Sequence, residues 1–167
     1  MRRPLLRRDR AAVVDVPYRL LLSVVLMALA AATLLPALRS YQATELEGRI
    51  RVTVAEVASA ARAVLNHPGS SRTVAVDLGG GWGVRLERLT IGAPLGSEAA
   101  SMAVIAWSHT AGGSGRTAVT STGGPVPMCG EDGGQLVLAD GRALLVLEAR
   151  AAPDGSSFDS YVEVSLA

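Results

Sequence analysis

The sequence predicts an α+β chain: a long N-terminal α-helix, transmembrane in its first part and amphipathic in its second, followed by an antiparallel β-sandwich-like head. Three observations carry that prediction. An uncharged apolar run of membrane-spanning length occupies residues 20–38, a stripe of apolar residues at helical spacing follows it, and after Ser70 the apolar residues alternate with period two. The 167 residues thereby divide into a charged leader at 1–11, a helix at 12–67 and a β-rich head at 70–167.

The leader is set apart by charge. Residues 1–10 hold five arginines (Arg2, Arg3, Arg7, Arg8 and Arg10) against Asp9, a net +4, whereas the rest of the chain holds eleven arginines and fourteen acids, a net −3. No lysine occurs anywhere. Basic character confined to one terminus excludes a nucleic-acid-binding surface spread over a fold, and no nucleic-acid partner is expected.

From Leu20 to Leu38 the chain reads LLLSVVLMALAAATLLPAL, with Ser23 and Thr33 its only polar side chains. About 20 such residues suit a hydrocarbon core of roughly 30 Å. A secretory signal peptide has an apolar region of only about 7–15 residues, and Leu34-Leu35 continue this run past the small residues Ala30-Ala31-Ala32, so a membrane span is the better reading. Arginines crowd its N-terminal side, while Arg39, Arg49 and Arg51 on the far side mix with Glu45 and Glu47. The positive-inside rule places the N-terminus in the cytoplasm and everything from Arg39 onward outside.

Leu46, Ile50, Val54, Val57, Ala61, Val64 and Leu65 then recur at spacings of three and four, a narrow stripe on an otherwise polar helix. Asn66-His67-Pro68-Gly69 is its stop signal, and Pro17, Pro36 and Gly48 are interior breakers that kink without ending it. One stripe suits one partner surface, and the head of the same chain can supply it.

Alternation marks the strands of the head. Val74, Val76 and Leu78 share one face, Val84 and Leu86 alternate with Arg85 and Glu87, Met102–Trp107 reads as a more fully buried strand, and Arg116–Thr122 is rich in hydroxyls. Gln135–Ala139 and Arg142–Glu148 flank Asp140-Gly141, a pair suited to a two-residue type I′ hairpin. Val162, Val164 and Leu166 mark the last strand. Six or seven strands with Gly-rich turns imply a sandwich or a strongly curved sheet.

Catalytic chemistry is sparse. Gly79-Gly80-Gly81-Trp82-Gly83 lacks dinucleotide-binding spacing, Gly112-Gly113-Ser114-Gly115 is a loop, and no nucleophile elbow occurs. His67 sits at a helix end and His109 at a strand end, with no second histidine at ligand spacing. The single Cys129 excludes an internal disulfide, and beside Glu131 and Asp132 it offers one soft ligand without a nearby histidine. No catalytic residue, metal or cofactor is assigned. A membrane-tethered hydrolase would require a cleft gathering His109, Cys129, Glu131 and Asp132.

Asp15 is the ionisable residue that stands out, because a carboxylate at the start of an apolar helix needs a partner. It fits a helix N-cap before Val16-Pro17 or an i,i+4 pair with Arg19, and both are compatible with a functional role.

An Arg-rich leader, Ala11-Ala12-Val13-Val14-Asp15, a long apolar helix, an amphipathic continuation and a β-rich head together resemble type IV pilin-like proteins. Arg10-Ala11-Ala12 is similar to the class III signal peptides of archaeal pilins and archaellins. The resemblance implies a membrane-bound precursor cut by a prepilin peptidase after Arg10 or after Ala11, then packed through its helix with other pilin-like subunits into a cell-surface filament. It also implies that Asp15, fourth or fifth in the cut chain, pairs with a neighbouring subunit's terminal amine. The chain departs from the bacterial pattern, with no Gly before the cut and no aromatic after it, which favours the archaeal form; Pro17 and Arg19 interrupt the early apolar stretch as in a minor or pilin-like subunit. The alternative reading is a permanently anchored single-pass protein whose outer β-domain binds a ligand or another envelope protein.

Overall fold

The structure, a computed structural model, describes residues 10–67, 69–79, 83–139 and 141–167, with side chains of the helix from Pro17 onward. One helix, α1 (Arg10–Leu65), runs unbroken through Pro17 and Pro36. Two compact units divide inside it, between Ser40 and Tyr41, so the second half of α1 belongs to the same unit as the strands. Along that half the apolar stripe is buried: Ile50, Val57, Ala61 and Val64 are at most 1% exposed, and Leu46 and Val54 are buried beside them. Leu65 is half-buried. The helix ends at Leu65, with His67 N–H donating to the Val64 carbonyl at 3.0 Å; beyond it Gly69 adopts φ +84°, which only glycine takes up readily, and Ser70 N–H closes a turn onto the His67 carbonyl at 3.0 Å.

Among the described residues, ten strands and one short helix follow. They are β1 (Ser71–Asp77), β2 (Leu86–Ile91), α2 (Ala99–Met102), β3 (Val104–His109), β4 (Ser114–Ala118), β5 (Thr120–Ser121), β6 (Gly124–Pro125), β7 (Met128–Gly130), β8 (Leu136–Leu138), β9 (Arg142–Ala151) and β10 (Ser160–Leu166). One four-stranded sheet has the order β1-β9-β10-β7, a second has β4-β3-β2-β8, and β5-β6 form a small ribbon. All pairings are antiparallel except β10 with β7, which is parallel, so the α+β class holds with a mixed first sheet. One apolar core joins the α1 stripe to Val76, Leu145, Leu147 and Val164 of the first sheet and Leu89, Ile91, Ile105 and Trp107 of the second. Arg62 of α1 donates from Nε to the Thr120 carbonyl at 2.7 Å, tying the helix end to the ribbon. A satellite core of Met102, Cys129 and Tyr161 lies under Leu95 and Phe158.

Three local expectations are corrected. The Asp140-Gly141 hairpin does not form: β8 pairs with β2 in the second sheet, whereas β9 pairs with β1 and β10 in the first. Gly141 lacks the positive φ that a type I′ turn demands, and its carbonyl instead accepts from Leu78 N–H, so it crosses between sheets. Leu138 is buried in the second sheet and Leu145 and Leu147 in the first, an arrangement that a two-residue turn would forbid by keeping both strands in one sheet. Met102 closes α2 rather than opening a strand, and β3 alternates between buried and half-buried residues. The loop at 112–115 ends early, because Ser114 and Gly115 pair in register with Ser108 and Trp107. Gly115 is needed there: a Cβ on it would overlap the Trp107 ring.

Replacing Ile50 with Ala should lower the unfolding free energy by about 2–5 kcal/mol, the cost of emptying a closed core site, read as a lower urea midpoint for the solubilised chain. Two glycine substitutions should move stability in opposite directions. Gly48→Ala, with nothing within 4 Å of the new Cβ, should raise it by about 0.5–1 kcal/mol, and Gly115→Ala, which meets Trp107, should lower it by about 1–3 kcal/mol.

Candidate functional site

Among the described side chains, the first half of α1 from Pro17 onward is a mainly apolar surface that the rest of the chain leaves uncovered. Every described side chain from Pro17 to Tyr41 is exposed, including Leu20, Leu26, Leu34 and Leu38 and, at 72%, Met27. Residues 20–38 extend about 28 Å at 1.5 Å per residue, matching the thickness of a hydrocarbon core. Among the described residues this is the one helix long and apolar enough to cross a membrane. Its two hydroxyls are satisfied within the helix: Ser23 Oγ donates to the Leu20 carbonyl at 2.8 Å, and Thr33 Oγ1 to the Ala30 carbonyl at 3.0 Å. An apolar surrounding demands this internal pairing, since it offers no water to take up a polar group. Charge begins on either side, at Arg19 and Arg39, and beyond Tyr41 the pairs Glu45–Arg49 and Glu47–Arg51 run along the helix at i,i+4. Ala28, Ala30, Ala31 and Ala32 give the span a small-residue surface on which helix backbones can approach closely.

Of the processing and pairing positions, the backbone of Arg10, Ala11, Ala12 and Asp15 is helical, but their side chains, like residues 1–9, lie outside the described residues. The N-cap reading of Asp15 is corrected, because α1 begins five residues earlier and Asp15 lies inside it.

In the head, the four residues required for a hydrolase are not brought together. His109 ends β3 opposite Leu86, while the chain after Cys129 runs to Leu136, which pairs with Ile91 at the other end of β2. Ile91 itself pairs with Ile105, four residues along β3 from His109, or roughly 13 Å of strand. A cleft of about 560 Å³ is lined by Glu131, Asp132 and Gln135 but by neither His109 nor Cys129. Asp132 Oδ1 instead accepts from Gly134 N–H at 2.9 Å and shapes its own loop. Among the described residues no three His, Cys, Asp or Glu side chains group so as to hold a metal ion. His109 Nδ1 and Trp107 Nε1 are buried without a hydrogen-bond partner, beneath the backbone of Gly113 and Gly115.

Sequence reasoning passed over a second cleft. Its signal was a repeat: Pro-x-Gly-Ser occurs at 94–97 and again at 153–156, and the two copies face each other across a space of about 530 Å³.

Burial pushes the Cys129 thiol up to about 11, helped by the negative charges of Glu163 and Asp132, so at neutral pH it is a protonated core group rather than a thiolate. A proton held more tightly in the folded chain stabilises it fully below the thiol's ordinary value of 9.0, and that contribution disappears as pH rises towards 11. Cys129 should therefore resist iodoacetamide until the chain is unfolded, and a Cys129→Ala variant should lose less stability than the parent between pH 9 and 11 in urea titrations.

Comparisons with protein-family models, with curated proteins and with solved structures show no match to this chain.

Proposed function

We propose that the chain is a pilin-like subunit: a membrane-inserted precursor, cut by a prepilin peptidase at Arg10-Ala11-Ala12 and assembled through α1 into a type IV pilus-like filament. One observation supports it most. A single helix buries the stripe of its second half in the core of its own head and, among the described side chains, leaves residues 17–41 exposed, with the uncharged apolar run at 20–38. Such a surface is stable in lipid and equally stable against copies of itself, which is what transfer from a bilayer to a helical bundle requires. Processing removes the +4 leader, which holds the precursor's N-terminus in the cytoplasm and the head outside. It also creates an amine three or four residues before Asp15, and a carboxylate buried among apolar helices needs such a cation.

N-terminal sequencing of the native protein tests the proposal. A start at Ala11 or Ala12, together with recovery in a sheared surface-filament fraction, is the expected result. Retention of Met1–Arg10 with no filament recovery would establish the permanently anchored reading instead, and a start beyond Ala32 would mean an ordinary secreted protein.

A further inference from the structure

The cleft between the two Pro-x-Gly-Ser segments is built alike on both sides. In each, Ser N–H donates to the proline carbonyl at 3.1 Å, and the glycine before it, Gly96 or Gly155, adopts φ +95° or +86°. An i→i+3 bond with positive φ at the third residue alone is a type II turn, whose backbone geometry is favoured locally by the glycine at that position. One turn follows β2 and the other joins β9 to β10, and both rest on the satellite core through Leu95 and Phe158. The walls are therefore two rigid turns on a common apolar footing.

The lining is chemically one-sided. It offers the hydroxyls of Ser97, Ser156 and Ser157, the carboxylates of Glu98 and Asp154, and the half-buried ring of Phe158, the only phenylalanine in the chain. Among the described residues none of these hydroxyls has a side-chain hydrogen bond within the protein, and neither carboxylate has an ion-pair partner. Among the described residues no cation lines the cleft, and its two carboxylates repel phosphate, sulfate and carboxylate ligands. The complement of such a lining is an uncharged molecule with several hydroxyl donors for the carboxylates, acceptors for the serines and a C–H face for the aromatic ring.

We propose that this cleft binds a neutral pyranose sugar, with Asp154 and Glu98 accepting from its hydroxyls, the serines bridging them, and the ring face lying on Phe158. The site goes beyond the proposed filament role and does not depend on it.

The test is saturation-transfer-difference NMR on the full-length chain, held in a detergent without a sugar headgroup. The probes are D-glucose, D-galactose, D-mannose and N-acetyl-D-glucosamine at millimolar concentrations. At least one should receive saturation from the protein, strongest at its ring protons. Asp154→Asn should weaken that sugar about tenfold, the loss of one charge-assisted hydrogen bond, and Ser97→Ala should weaken it less. Both positions lie outside either core, so an unchanged circular-dichroism spectrum separates lost binding from lost folding. The proposal is overturned if no probe receives saturation, if Asp154→Asn leaves affinity unaltered, or if an Arg-Gly-Arg peptide binds more tightly than every sugar.

Discussion

Apolar surface leaves water wherever it can, and α1, an apolar run followed by an apolar stripe on an otherwise polar helix, covers only the stripe within its own chain. From Leu46 to Val64 the stripe joins the inner faces of both four-stranded sheets in one core. Most of the largest buried side chains come from the head, among them Leu89, Ile91, Ile105, Leu145 and Leu147, and the helix lays a continuous row of mostly Val and Ala against them. The head is thus no separate β-domain hung on a helix; the second half of α1 is part of its interior. Polar contacts add geometry rather than bulk. Arg62 reaches the ribbon backbone, and Arg150 bridges Glu148 at 2.9 Å and Glu163 at 3.2 Å across neighbouring strands, exposed pairs of modest energetic weight.

The head's chemistry follows from where that core leaves polar groups. Cys129 is drawn into the satellite core and stays protonated, Asp132 is committed to its loop, and His109 lies under a glycine backbone at the far end of the second sheet. Hydroxyls and carboxylates without partners collect instead where two turns meet. Those turns rest on Leu95 and Phe158, so the same satellite core that silences the thiol also fixes the walls of the cleft.

Much of this was legible in the residues. The uncharged run, the i,i+3/i+4 stripe and the alternating segments follow from the periods of 3.6 and 2 and from the burial each face seeks, which is why the α+β class, the buried stripe and most strands could be read directly. Local signals failed where they competed with sheet membership. Asp140-Gly141 is a good hairpin dipeptide, yet Leu138 and Leu145 bury in different sheets, and two buried leucines outweigh the preference of one turn. Met102 went to a one-turn helix because the satellite core, invisible as a sequence period, takes its side chain. The paired turns were visible only as a repeated tetrapeptide, with nothing to say that the copies face each other.

The sequence by itself determined the long helix, most of the extended segments and which part of α1 is long and apolar enough to cross a membrane, because each depends on the side chains of neighbouring residues along the chain. Only the tertiary structure decided which strands share a sheet, that the β10–β7 pair is parallel, that the candidate cysteine and histidine lie apart, and that residues 95–98 and 153–158 close around one cleft. Those outcomes rest on contacts between residues dozens of positions apart, selected by how one shared core can be filled, and no local periodicity encodes that choice.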